Sequence, residues 1–372
     1  MSGIYIHVPF CVVRCLYCDF YSTALPHLKD AWLRAAIREM ELRRDYLGGD
    51  TVATIYIGGG TPSQLSAADL ERLFSAVYRL FPVDSDAEIT LEANPDDMTA
   101  AYVGSLRSLP INRISMGVQS FDEADLHLLG RRHNSRRARQ AIGDCIRSGY
   151  DNISIDLIYG IPGQSLQGWE ANLKEAAGLR IPHISAYHLT YEEGTRLHSM
   201  LEAGQVQAVD EDDSADMFDL LVDSLDGYEH YEISNFALPG RISRHNSSYW
   251  EEKKYLGIGP SAHSYNIETR SWNVASLSDY IEGINRGKPI LETERPHYYN
   301  EYVMTALRTS RGIEVSRIAA RFGEDTLSFI LRQSESFIAA GMLEHKADRL
   351  VLTRKGIFVS DAVIRALFRE DF

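Results

Sequence analysis

Six strand patterns alternate with helical patterns through the first two thirds of the chain. Short apolar runs such as residues 52–57 are each followed by a segment with helical periodicity, such as residues 66–81. This alternation predicts a parallel sheet with helices packed outside it. Six units are fewer than the eight of a closed barrel, so the pattern leaves a partial barrel and a doubly wound sheet open.

The composition is that of an ordinary globular chain. Of 372 residues, 44% are hydrophobic and 24% are charged, and the formal net charge is -14. This negative balance argues against nonspecific binding to nucleic acid. The sequence shows neither an apolar run long enough to span a membrane nor a signal-peptide pattern. We therefore expect a cytoplasmic protein that does not bind nucleic acid, while peripheral membrane contact and a homodimer stay open.

The patterns divide the chain into three regions. Residues 1–210 contain the strand–helix units, and residues 211–295 form a connecting region with an acidic helical pattern and a loop at 244–250. Residues 296–372 show helices followed by a short hairpin, which resembles a winged-helix module. Positive and negative side chains nearly balance there, whereas a DNA-reading wing is usually more basic. We expect this module to be a lid or structural cap.

The cysteines are few and clustered. Cys11, Cys15 and Cys18 fall in the pattern C-x-x-x-C-x-x-C, and the fourth, Cys145, lies alone in a helical pattern as an expected core residue. Such a triplet without a secretion signal indicates a metal or redox site. Three thiolates can hold a [4Fe–4S] cluster and leave one iron open to a small molecule. Structural zinc wants four ligands, and His7 is the candidate fourth in that alternative.

Polar and glycine residues gather where the predicted strands end. Gly58, Gly59 and Gly60 follow the second strand, residues 92–95 end the third, and residues 117–120 end the fourth. Both candidate folds bind ligands at the carboxyl ends of their parallel strands. The glycines let backbone groups approach a ligand closely. We expect these segments and the cysteines to share one site.

The cysteine triplet resembles the motif of the radical S-adenosylmethionine (SAM) superfamily. The resemblance implies that SAM chelates the open iron of a [4Fe–4S] cluster, and that residues 58–62 bind the SAM amino group. It also implies the fold: an α/β partial (β/α)6 TIM-like barrel with a smaller C-terminal winged-helix-like domain. SAM cleavage in such proteins yields methionine and a 5′-deoxyadenosyl radical.

Segments across nearly the whole chain are similar to the coproporphyrinogen dehydrogenase (HemN) and HemW branch of that superfamily. They are residues 5–11, 58–62, 92–95, 117–121 and 156–160. The SAM contacts that this resemblance implies are Tyr5, Gly59, Gly60, Thr61, Glu92, Gln119, Arg131 and Asp156. Two alternatives remain on chemical grounds. Glu92 and Asp156 can belong to a buried ion pair, and Arg131 can be a surface charge beside Arg132.

Two departures separate the chain from the dehydrogenase pattern. That pattern has a fourth cysteine two residues after the third, where this chain has Phe20, and a longer segment before the first cysteine. The resemblance is therefore closest to HemW-type haem chaperones, which bind haem and deliver it to haem-dependent apo-proteins. The alternative is an oxygen-independent coproporphyrinogen III dehydrogenase that uses the deoxyadenosyl radical. The sequence does not identify an electron donor.

A second motif, His245-Asn246-x-x-Tyr249-Trp250, is similar to the HNxxYW motif of HemW-type proteins. Histidine is a common axial ligand of haem iron, and aromatic rings can pack on a porphyrin. The resemblance makes His245 the candidate haem ligand, with His263 and His188 as alternatives. A histidine in an aromatic segment can also be an ordinary core residue.

Overall fold

The computed structural model describes residues 1–370, and its main feature is one open sheet of twelve strands. In chain order these strands are β1 (Ser2–Val8), β2 (Val52–Gly59), β3 (Val83–Ala93), β4 (Arg113–Gln119), β5 (Ile153–Tyr159), β6 (His183–His188), β7 (Glu229–Glu232), β8 (Asn235–Ala237), β9 (Tyr255–Ile258), β10 (His263–Tyr265), β11 (Arg270–Asn273) and β12 (Leu291–Glu294). A second, three-stranded sheet contains β13 (Ile313–Glu314), β14 (Leu343–Lys346) and β15 (Arg349–Leu352).

Fifteen α-helices accompany these strands in the described residues. They are α1 (Lys29–Leu42), α2 (Ala67–Leu80), α3 (Ala100–Leu106), α4 (Glu123–Leu128), α5 (Ser135–Arg147), α6 (Leu166–Gly178), α7 (Arg196–Glu202), α8 (Glu211–Ser224), α9 (Arg244–Trp250), α10 (Leu277–Asn285), α11 (Tyr298–Leu307), α12 (Val315–Phe322), α13 (Glu324–Ala339), α14 (Arg354–Phe358) and α15 (Ser360–Ala366). Two single 3-10 turns lie at Pro26–Leu28 and Pro62–Gln64.

The six predicted strand–helix units are confirmed. Strands β1 to β6 pair in chain order, and every one of these pairings is parallel. A doubly wound sheet would reverse its strand order at a switch point, and this one does not. The strand order therefore decides for the partial barrel. The capping box expected at the start of α2 is also present, since Ser66 and Asp69 bond each other's backbone N–H groups.

The region 211–295 adds strands to both edges of the same sheet. Strand β8 pairs antiparallel with β6, and β7 pairs with β8, at one edge. At the other edge β9 pairs parallel with β1, and β10 to β12 continue outward as antiparallel strands. This region therefore extends the barrel instead of merely connecting two bodies. The division into residues 1–210, 211–295 and 296–372 stays a prediction.

A separate core forms in the C-terminal module, where α11 to α15 pack around the second sheet. Arginines of the module pair with acids of the barrel. Arg354 donates to Asp219 and Asp223 of α8, and Arg321 donates to Glu252, which follows α9. The module thus contacts the barrel both at α8 and beside the HNxxYW segment.

A fully buried carboxylate on α1 ties this outer helix to the added strands. Glu39 accepts hydrogen bonds from Arg43 (2.9 Å), the backbone N–H of Gly259 (2.9 Å), Asn273 (2.9 Å) and the hydroxyl of Tyr280 (2.7 Å). Burying a charge is favourable only when partners replace water, and here four partners do so. Glu39 therefore fixes β9, β11 and α10 against the barrel wall.

We expect Glu39→Ala to lower the free energy of unfolding by about 3–5 kcal/mol, because it leaves the Arg43 guanidinium buried without its carboxylate. The matched control is Glu41→Ala on the same helix. Glu41 pairs with the exposed arginines Arg38 and Arg79, so its loss should cost about 1 kcal/mol or less. Urea denaturation of both variants measures the difference. Equal losses would contradict the role assigned to Glu39.

Candidate cofactor site

A cavity of 590 Å³ opens at the carboxyl ends of the parallel strands and continues into the barrel lumen. All three clustered cysteines line it, as the sequence predicts. The other predicted cofactor residues in its wall are Gly59, Gly60, Thr61, Glu92, Gln119, Arg131 and Asp156. The structure therefore brings together ten of the twelve residues assigned from the sequence. The two exceptions are Tyr5 and His245.

The cysteines occupy the loop that follows β1. Backbone bonds from Cys11 to Thr23 (3.1 Å) and from Leu16 to Leu129 (3.2 Å) hold this loop over the cavity. All three thiols are free of disulfides. The Cys11 sulfur lies 3.3 Å from the Thr61 hydroxyl, and burial raises the pKa of Cys18 to about 11. A bound metal would reverse that shift, because metals bind the thiolate.

The donor set fits an iron–sulfur cluster better than a single zinc ion. Within residues 1–370, no three His, Cys, Asp or Glu side chains lie close enough together to hold one metal ion. The imidazole of His7, the fourth ligand in the zinc alternative, is also engaged on both sides. Its nitrogens lie 3.0 Å from the Tyr5 hydroxyl and 2.9 Å from the Tyr21 carbonyl. A cubane, by contrast, takes one thiolate at each of three separate irons.

The glycine motif after β2 lets the backbone pack where a side chain would not fit. Gly59 has a φ of 106°, and a Cβ there would lie 2.6 Å from the His7 ring. A Cβ on Gly60 would lie 2.8 Å from the carbonyl oxygens of Val8 and Phe10. The motif therefore serves close packing against β1 and also leaves backbone groups facing the cavity.

Two buried carboxylates face the lumen without a cationic partner. Glu92 accepts hydrogen bonds from the Tyr56 hydroxyl (2.7 Å) and from the Gly59 N–H (3.0 Å). Burial raises the pKa of Glu92 to about 7 and that of Asp156 to about 6. Neither forms an ion pair within the described residues, which is against the alternative of an internal ion pair. Both can accept hydrogen bonds from a ligand's hydroxyl or amino groups.

Arg131 points into the site and is not a surface charge. It donates to the Asn94 side chain (2.7 Å), the Gly117 carbonyl (2.6 Å) and the Cys15 sulfur (3.3 Å). Its Nε is buried without a partner. The neighbouring Arg132 is the exposed one, and it pairs with Asp97. Arg131 thus keeps a free donor beside the cysteines, where a ligand carboxylate can be bound.

Gln119 adopts a strained backbone conformation at the end of β4. Its φ is 69°, although it is not a glycine, and its side-chain amide crowds the position that a Cβ on Gly117 would occupy, at 2.7 Å. Such strain persists only where the surrounding structure enforces it, and it is concentrated at functional sites. Gln119 consequently presents its amide to the cavity.

Tyr5 does not line the cavity, although it was predicted to contact SAM. Its hydroxyl lies 3.0 Å from the His7 ring nitrogen, and its ring packs 6.1 Å from that of Tyr56. The neighbouring strands β2 and β9 flank it on either side. In this structure Tyr5 contacts the site only through His7 and Tyr56.

The HNxxYW segment lies at the opposite end of the barrel and is helical. The prediction of a loop there was wrong, because Ser243 caps α9 by accepting from the Asn246 N–H, and Glu88 of β3 accepts from the N–H groups of Arg244 and His245. The sequence signal for this helix was weak, since seven residues are few and half of its capping comes from a distant strand.

His245 itself is 1% exposed and has a partner at each ring nitrogen. Nδ1 lies 2.7 Å from the Thr54 hydroxyl, and Nε2 lies 2.9 Å from the Tyr249 hydroxyl. The ring stacks on Tyr56 at 4.9 Å, and burial lowers its pKa to about 3. The imidazole is thus a neutral, fully bonded core group, and it can ligate haem iron only after leaving these contacts.

The two alternative haem ligands lie elsewhere. His188 ends β6 and lines the cavity, with Nε2 3.1 Å from the Ser214 hydroxyl. His263 is exposed on β10, where its ring stacks on Trp272 at 5.5 Å. The three candidate histidines therefore occupy three separate places and do not form one site.

Several cavity residues were missed in the sequence. They share the inner faces of the strands, and the main ones are Tyr56, Asn94, Arg113, Ser154, His183 and Ser185. A usable signal was present, because polar residues recur at every second position of the third to sixth strands, as in Arg113-x-Ser115-x-Gly117. Period-two polarity inside an otherwise buried strand indicates a polar lumen.

Comparison with known proteins now adds to this geometry. Residues 5–176 match the model of the radical SAM superfamily, and residues 294–359 match that of the HemN C-terminal domain. A heme chaperone HemW of Escherichia coli K12 is 39% identical over 389 residues, covering 99% of this chain and 98% of that protein. The heme chaperone HemW of Mycobacterium tuberculosis H37Rv is 36% identical over 98% of this chain and 94% of its own.

The chain belongs to the HemW family of radical SAM proteins. This confirms the resemblance found in the cysteine and glycine motifs, and membership of the superfamily implies a [4Fe–4S] cluster and SAM. The solved coproporphyrinogen III oxidase HemN of Escherichia coli aligns with a TM-score of 0.84 at 22% identity, over 98% of this chain and 89% of that one. That likeness confirms the fold. Among residues 1–370, no helix has the length and apolar character needed to cross a membrane.

We expect SAM affinity to depend on the ionisation of Glu92. Above its pKa of about 7 the carboxylate is charged and attracts the SAM ammonium, so affinity should rise with pH through that value. Glu92→Gln should remove this component, and the ratio of wild-type to variant affinity should increase across the same range. Equilibrium dialysis of SAM measures the ratio, which cancels the titration of SAM itself. A constant ratio would show that Glu92 does not face the ammonium.

The control for that experiment is Glu123→Gln. Glu123 lies on α4 and accepts bonds from Ser135 outside the cavity. Its loss should leave the pH dependence of SAM affinity at the wild-type form.

Proposed function

We propose that this protein binds haem and delivers it to haem-dependent apo-proteins, and that it does so on a core that holds a [4Fe–4S] cluster and SAM. The observation that carries the proposal is similarity over the full chain length to HemW proteins that are named heme chaperones, at 32–39% identity. The geometry of the cavity agrees, because it offers three thiols together with donors and acceptors suited to SAM.

The residue after the third cysteine pair supports the chaperone over the dehydrogenase. Phe20 stands where the dehydrogenase pattern has its fourth cysteine, and its side chain is 64% exposed at the edge of the cysteine loop. A phenyl ring supplies neither a metal ligand nor an acid–base group. The HemN-like fold does not favour the dehydrogenase, since one fold can host different functions.

The chain's own residues have separate tasks in this site. Cys11, Cys15 and Cys18 would hold the cluster, which when bound supplies an electron to SAM. Arg131 would pair with the SAM carboxylate, because its guanidinium has an unpartnered Nε beside Cys15. Glu92, held by Tyr56 and Gly59, would orient the ammonium or a ribose hydroxyl.

The haem-transfer assay tests the proposed function directly. Protein reconstituted anaerobically with iron and sulfide should bind haem and restore activity to the apo form of a haem enzyme. The same preparation with SAM, reductant and coproporphyrinogen III should form no protoporphyrinogen. Clear porphyrinogen turnover would establish the dehydrogenase instead. Failure of both haem binding and transfer would also overturn the proposal.

Replacing Cys11, Cys15 and Cys18 by alanine should abolish the iron–sulfur absorbance and the bound iron, since each thiolate holds one iron of the cluster. The matched control is Cys145→Ala, which removes a thiol fully buried in α5 far from the cavity. Iron analysis and visible absorbance compare the two variants. Wild-type iron content in the triple variant would refute the cluster assignment.

For the haem ligand we propose His245, reached when α9 moves. We expect His245→Ala to weaken haem binding in a Soret titration and also to lower thermal stability, because the ring loses two hydrogen bonds and its stacking on Tyr56. His263→Ala and His188→Ala are the comparison variants. Wild-type haem affinity in His245→Ala would remove this residue from the haem site.

A further inference from the structure

The far end of the lumen contains a buried arginine that the proposed function does not use. Arg113 is the first residue of β4, and its side chain is 2% exposed and lines the same cavity as the cysteines. Because β1 to β6 are parallel, Arg113 lies at the opposite end from the cysteine loop. We call this end the cavity floor, and its lining residues are Arg113, Ser154, His183, Ser243 and Asn246.

Arg113 lacks the partners that a buried guanidinium normally has. It donates one hydrogen bond, from Nη1 to the side-chain oxygen of Asn152 at 2.7 Å. Within the part of the chain that the structure describes, it takes part in no other hydrogen bond and no ion pair. A buried charge without a counter-charge is strongly unfavourable unless something else compensates it.

The other buried arginine with no access to the cavity shows the contrast. Arg43 donates to Glu39 (2.9 Å), to the Gly257 carbonyl (3.0 Å) and to the Ser264 hydroxyl (2.9 Å). Arg131, which does line the cavity, resembles Arg113 in having no carboxylate partner. The fold thus pairs its buried arginine in the wall and leaves two arginines without carboxylates in the cavity.

The neighbours of Arg113 on the floor already have partners. His183 Nδ1 lies 2.7 Å from the Ser154 hydroxyl, and Nε2 lies 2.8 Å from the Tyr231 hydroxyl. Burial and the charge of Arg113 lower the pKa of His183, so its ring stays neutral. Asp156 lies higher on β5, and Arg113 acts on it only at longer range, since burial still raises the pKa of that carboxyl. Arg113 is therefore the cation of the floor.

We infer that the cavity floor is a subsite for a small carboxylate, which pairs with the Arg113 guanidinium in a bidentate manner. The fork of an arginine matches a carboxylate in shape, and the low-polarity surroundings strengthen the pairing. Asn246, the second residue of the HNxxYW motif, lines the same floor and supplies an amide donor. The carboxylate can belong to a porphyrin propionate or to a free small acid. The subsite does not depend on the proposed haem function.

Propionate itself is the probe for this subsite. We expect the full-length protein to bind sodium propionate in preference to sodium chloride at equal ionic strength, by calorimetric titration. Arg113→Gln should weaken propionate binding about tenfold or more, the effect of losing a charged hydrogen-bond donor. The matched control is Arg136→Gln, which removes an exposed guanidinium on α5 and should bind propionate as the wild type does.

Two results would overturn the inference. One is a wild-type protein that does not prefer propionate to chloride, and the other is a folded Arg113→Gln variant with wild-type affinity. If Arg113→Gln does not fold, Arg113→Lys decides, since lysine keeps the charge but loses the fork. Weakened propionate binding in that variant supports the subsite, and unchanged binding refutes it.

Haem and haem dimethyl ester separate the two sources of the carboxylate. If the porphyrin supplies it, Arg113→Gln weakens haem binding but leaves the binding of the diester unchanged. If a free acid supplies it, the variant binds both porphyrins as the wild type does while losing propionate. A wild-type protein that binds no haem would refute the proposed function and leave the propionate result to decide the subsite.

Discussion

The structure depends on one constraint: the inner faces of its parallel strands carry polar side chains, and each buried polar group needs a partner. In a barrel packed with apolar side chains the lumen would simply be core. Here carboxylates, hydroxyls and guanidinium groups face inward, so burying them without partners would be costly. The way these groups are paired determines what covers each end of the lumen and which groups are left for ligands.

At the two ends the constraint is met differently. At the carboxyl end, Glu92 is held by Tyr56 and by a backbone N–H of the glycine motif, so the site is preorganised by the strands themselves. At the opposite end, Glu88 takes two N–H groups from the start of α9, so a helix from a distant part of the chain closes the lumen. The groups without carboxylate partners, Arg113 and Arg131, are those that line the cavity.

The parts predictable from sequence were those encoded locally. The six parallel strands follow from period and alternation, and the cysteine and glycine motifs locate the cofactor end, because each lies next to its own strand. Strands β7 to β12 have only three or four residues each and form through pairing at the sheet edges, which local patterns do not contain. The helical state of α9 was missed for a similar reason, because Glu88 helps to start it from another strand. Arg113 and Tyr56 were missed because inner-face polarity was not treated as a signal.

Tyr56 joins the two ends, since its hydroxyl bonds Glu92 while its ring stacks on His245. Strand β2 places Thr54, the partner of His245, two residues before Tyr56 on the same inner face, and β3 likewise places Glu88 below Glu92. Any movement of α9 that frees His245 must break its bond to Thr54 and its stacking on Tyr56. The cost of exposing the histidine is therefore borne by the same two strands that hold Glu92, so a ligand that fixes Glu92 and Tyr56 also changes the surface on which α9 rests.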